Sequence, residues 1–151
     1  MAIKNNLQQL CQAYEKLTQA NETFSKKDSA VESFRNLIDQ RSLIMEDIDL
    51  ISNMLVKEIN HIYREHSFSC NTVPEAIRAL QVLAPELSDQ CERLKKSLKN
   101  LVVSDAGVTE QISGMKDSVK AEINKIRQSS RALKKYRQAD PMGSCFINKI
   151  K

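Results

Sequence analysis

The chain has 151 residues with a net charge of +4, from 23 basic and 19 acidic side chains. Apolar residues make up 41%, aromatics only 5%, and there are three Gly, three Pro and no Trp. That length fits one domain, the scarcity of breakers excludes the many turns of an all-β fold, and the composition disfavours a compact globule. The mixed charge suits a solvated surface and does not by itself imply nucleic acid.

The start, MAIKNNLQQL, lacks the apolar core and cleavage site of a signal peptide, and no run is long and apolar enough to span a membrane. A cytoplasmic protein is the expectation. Cys11, Cys70, Cys91 and Cys145 match neither a CxxC pair nor a zinc framework. They read as small apolar side chains in a reducing compartment.

The first predicted helix covers residues 2–27. Ile3, Leu7, Leu10, Tyr14, Leu17 and Phe24 recur at steps of three, four or seven, which puts them on one face. Ser29 followed by Glu32 has the spacing of a capping box, which could start a new helix; a continuous helix through this polar stretch is the alternative. The second predicted helix covers 30–65, with an apolar stripe at Val31, Phe34, Ile38, Met45, Ile48, Ile51, Leu55, Ile59 and Ile62. Arg41 interrupts the stripe, and its stem can lie along the seam with its charge in water.

Residues 67–73 read as a loop. Thr72 is an N-cap, with Pro74 in the first turn and Glu75 three residues after the cap, so a short helix over 74–83 follows. Pro85 ends it. The last helix, 85–137, carries a heptad pattern. One series is Leu87, Leu94, Leu101, Val108, Met115, Glu122, Ser129, Tyr136; the interleaved one is Cys91, Leu98, Asp105, Ile112, Val119, Ile126, Leu133. Such a repeat predicts a supercoiled helix of roughly 80 Å. Asp105 and Gly107 weaken its middle without shifting the register. Residues 138–151 form a short tail.

The fold expected is therefore all-α: an elongated antiparallel helical hairpin or bundle, one domain over 1–137, with a long coiled-coil-like C-terminal helix.

No enzyme, cofactor or metal centre is expected. His61 and His66 are five apart and do not share a helix face as a zinc pair would. Neither GxSxG, GxGxxG nor a P-loop is present. Glu46 and Asp49 could pair for acid–base work, but Ile48 between them is expected to point inward and the acids outward. Lys120, Arg127 and Lys134, with Lys116 and Arg131, make a positive stripe. It could meet phosphates, acidic protein or only water, and no aromatics interleave it for base stacking. Polar Asp105, Glu122 and Ser129 underfill the seam. Either the packing is locally loose, or the distal helix is free to offer Ile123, Ile126, Leu133 and Tyr136 to a partner helix.

Two stretches carry a resemblance. One is Lys26-Lys27-Asp28-Ser29-Ala30-Val31-Glu32, followed by Leu37-Ile38-Asp39-Gln40-Arg41-Ser42-Leu43-Ile44 and Ile48-Asp49. The other is Ala132-Leu133-Lys134-Lys135-Tyr136, then a turn, then Ser144-Cys145-Phe146-Ile147-Asn148-Lys149. Together they resemble flagellar export chaperones, most closely the FlgN type that serves hook–filament junction proteins, with the FliT type second. Family tails often carry Asp where this chain has Asn148. The resemblance implies a chaperone that holds unassembled axial subunits, prevents premature assembly and passes them to the export gate. It places the binding face largely in the C-terminal helix, with Tyr136, and Phe146 second, as the aromatic for gate docking. The rivals are a structural coiled-coil or scaffold protein, which a stable homodimer would favour, and a nucleic-acid-associated helical factor.

Overall fold

The computed structural model describes residues 2–26 and 31–139. Among them the regular structure is entirely helical: α1 (Ala2–Lys26), α2 (Val31–Ile62), α3 (Val73–Leu83) and α4 (Ser88–Ala139), with 3-10 turns at Arg64–His66 and Pro85–Leu87. The all-α expectation holds, and α4 runs unbroken through Gly107. The expected cap at Ser29 and the tail beyond Ala139 lie outside the described residues. The chain divides into two compact units, Met1–Thr109 and Glu110–Lys151.

In the first unit, side-chain contacts fix the helix directions. Asn6 reaches Glu58 and Asn21 reaches Arg41, so α1 and α2 are antiparallel. Cys11 meets Ser97 and Asn21 meets Ser104, so α1 and the first part of α4 are parallel. This first part of the last helix packs on the N-terminal pair. It runs opposite to α2 and alongside α1.

The core follows the apolar spacing. From α1 come Ile3, Leu7, Leu10, Tyr14, Leu17 and Phe24, all buried as the periodicity requires. From α4 come Cys91, Leu94, Leu101 and Val108. Each side chain of that size contributes about 1.5–3 kcal/mol on burial. Phe24 meets Phe34 of α2 at 6.3 Å between ring centroids, a tilted aromatic pair.

The stripe on α2 is corrected. Leu37, Ile48, Leu55 and Ile59 are buried, whereas Val31, Ile38, Met45 and Ile62 are exposed. The inward arc passes through Leu37, Arg41, Ile44 and Ile48, so Arg41 belongs to the seam rather than interrupting it. The core face in this half of the helix therefore sits one residue earlier than the apolar count suggested.

The helix α2 ends at Ile62, short of the expected 65, and Ser67 takes a left-handed φ of 52°. Asn60 then ties the loop down: its amide donates to the Cys70 carbonyl at 2.8 Å and its carbonyl accepts the Cys70 N–H at 2.8 Å. Thr72 caps α3 as expected, its hydroxyl accepting the Glu75 N–H. The Glu75 carboxylate reaches back one residue further than a capping box, to the Asn71 N–H at 2.8 Å. With Ala76, Ile77, Ala79 and Leu80 buried, α3 closes one end of the core.

The second unit contains the continuation of α4. Met115 is half-buried there, and every described side chain from Lys116 to Gln138 is exposed.

Candidate partner-binding surface

Successive residues of a helix turn by about 100°. On that wheel Ile112, Val119, Ile123, Ile126, Leu133 and Tyr136 fall within an arc of roughly 140°, a single face. The exposed members range from 43% at Ile123 to 68% at Tyr136. The sequence-derived site residues Ile123, Ile126, Leu133 and Tyr136 thus share one solvent-facing stripe, and Phe146 lies outside the described residues. Val119 extends the stripe by more than a turn and was missed as a site residue. Its place in the heptad series was the available signal. Glu122 and Ser129 fall inside the arc, between Leu133 and Tyr136. On the opposite flank are Lys116, Lys120, Arg127, Arg131 and Lys134, all exposed. The combination is an apolar strip with a cationic edge.

Asp105 behaves differently from its seam neighbours. Its carboxylate accepts from Arg41 Nη1 at 2.7 Å and from Asn21 Nδ2 at 2.7 Å. Arg41 Nη1 also donates to Asn21 Oδ1 at 2.6 Å, and Asn21 Nδ2 donates to Ser104 Oγ at 2.9 Å. Asn21 is fully buried. Two sequence expectations are overturned: Arg41 does not leave its charge to water, and Asp105 is not a loose spot. Buried polar groups need partners, and here α1 and α2 supply one residue each and α4 supplies two.

The remaining candidates for chemistry do not assemble. His61 and His66 are exposed, as are Glu46 and Asp49, while Ile48 is buried between the acids. No group of three His, Cys, Asp or Glu able to hold a metal occurs among the described residues. Cys70 and Cys91 are core residues, and burial pushes both thiols up from the ordinary 9.0. Cys11 is half-buried, its Sγ 3.0 Å from Ser97 Oγ, and burial raises it too. A raised thiol is a poor nucleophile at neutral pH. An open groove of about 880 Å³ between α1 and α4 is lined by polar side chains, among them Gln8, Gln12, Gln90 and Arg93.

No protein-family model, curated protein or solved structure matches the chain. No helix among the described residues is long and apolar enough to cross a membrane.

Proposed function

We propose that the protein is a cytoplasmic export chaperone that holds an unassembled axial subunit of the flagellum, of the hook–filament junction type, through the exposed face of α4. The observation that carries this reading is the stripe Val119, Ile123, Ile126, Leu133 and Tyr136 left open to solvent. Apolar anchors at these spacings are what an amphipathic helix of a partner packs against. Holding requires neither pocket nor nucleophile, only a cohesive face on a folded support. The resemblance of the sequence to the FlgN type names the client class, and Tyr136 is the position for docking at the export gate.

The test is capture of axial subunits from flagellated cells by the tagged protein, repeated with I126D and L133D. The wild type recovers a junction-type subunit, and each variant loses it while keeping its melting temperature, because both side chains are exposed. Recovery of no axial subunit, or equal recovery by the variants, overturns the proposal. The exposed basic row favours a second reading, contact with nucleic acid. That reading requires binding that falls steeply with salt and survives I126D.

A further inference from the structure

Two rows on the surface of this chain have the same grammar and opposite charge. On α2, an apolar residue followed by an acid recurs every seven positions: Val31-Glu32, Ile38-Asp39, Met45-Glu46. On α4, an apolar residue followed by a base recurs every seven positions: Val119-Lys120, Ile126-Arg127, Leu133-Lys134. All six apolar members are between 42% and 71% exposed, and all six charged members are exposed. Each row is roughly 24 Å long at 1.5 Å per residue, so the two match in length as well as in pattern.

The surroundings reinforce the contrast. On the α2 row's own face lies Asp49, with Arg35 as an exposed base between the apolar and acidic positions; Arg41 is engaged with Asp105. Near the α4 row lie Lys116, Arg131 and Arg137, with Glu122 inside the apolar arc on the side away from the bases. A seven-residue recurrence is the requirement for two helices to stay in register along a shared seam. Opposite charges along the flank select the partner and its orientation.

We infer that these rows are the two halves of a contact between copies of this chain, the α4 row of one copy packing on the α2 row of another. The helices pair antiparallel. The charge follows the apolar residue by one position in both rows, so both charged edges turn the same way round their helices. Only antiparallel pairing then brings them to the same side of the seam. The contact joins two different faces of the chain, so it is heterologous. It does not rest on the chaperone reading. Where a client is also bound, the two uses compete, because Ile126 and Leu133 belong to both faces.

Sedimentation equilibrium of the full chain tests this without any client. The wild type associates reversibly, and association weakens as salt rises. K120E/R127E/K134E makes both rows acidic, and E32K/D39K/E46K makes both basic. Each variant alone raises the apparent dissociation constant about 100-fold or more, since like charges then face each other. An equimolar mixture of the two variants associates again, because every contact between unlike chains is once more complementary. Circular dichroism of each variant establishes that the helices persist. A wild type that stays monomeric at every concentration overturns the inference. So do triple variants that self-associate like the wild type, or a mixture that does not re-form the complex. Client capture by the chain is read separately, so the failure of one proposal leaves the other standing.

Discussion

At the scale of single residues, the most informative group is Asn21, Arg41, Asp105 and Ser104. An apolar seam would have been simpler, yet three helices each place a polar side chain at one level. The Arg41–Asp105 pair has side chains 28% and 41% exposed, so its Coulomb attraction is screened and modest. The larger stake is the fully buried Asn21, whose amide loses a partner if Asp105 goes. Asp105→Ala should therefore cost about 1–2 kcal/mol in denaturant unfolding. Replacing Arg41 and Asp105 together by Met and Leu should cost less than the two single changes summed, with a coupling of about 0.5–3 kcal/mol in the double-mutant cycle. Additive costs would mean that the pair acts independently. None of this was legible in the sequence, because Arg41 and Asp105 are 64 positions apart and each looked like a flaw in its own stripe.

At the scale of elements, the helix boundaries were largely readable. Few breakers exist, and the two prolines among the described residues mark real ends: Pro85 closes α3, and Pro74 with Thr72 opens it. Legibility failed on the phase of α2, where exposed Val31, Ile38 and Met45 imitate a core stripe. An apolar count cannot tell a face packed inside the molecule from a second face left at the surface, since both obey the helical period. The continuity of α4 is the other element-scale result. Gly107 and Gly114 both lie within it, and a methyl group added at either would meet nothing within 4 Å. Glycine in a helix interior costs about 0.5–1 kcal/mol relative to alanine, through backbone entropy. Gly107→Ala and Gly114→Ala should each increase helix content on thermal melts, and Gly107→Ala should raise the melting temperature of the first unit. A drop in stability on either change would show that these positions need glycine for a reason outside the helix itself.

At the scale of the whole molecule, burial is distributed unevenly along the chain. Every buried apolar residue among those described lies at or before Val108, supplied by α1, α2, α3, the first part of α4 and, from the connections between them, Cys70, Ala84 and Leu87. The stability of the folded chain should then reside in Met1–Thr109. A chain ending at Thr109 is expected to unfold cooperatively with a melting temperature within about 3 °C of the full protein, since a shift of that size corresponds to a small fraction of the total stability. A peptide covering 110–139 should be only partly helical in water, because an isolated helix without a buried face gains little beyond its own hydrogen bonds. The two results together would assign stability to one unit and surface for partners to the other. A truncated chain that melts broadly or far below the full protein would instead place part of the folding free energy in the distal helix. The exposed stripe from Val119 to Tyr136 would then have to be satisfied in solution, and the sedimentation experiment identifies whether a second copy does so.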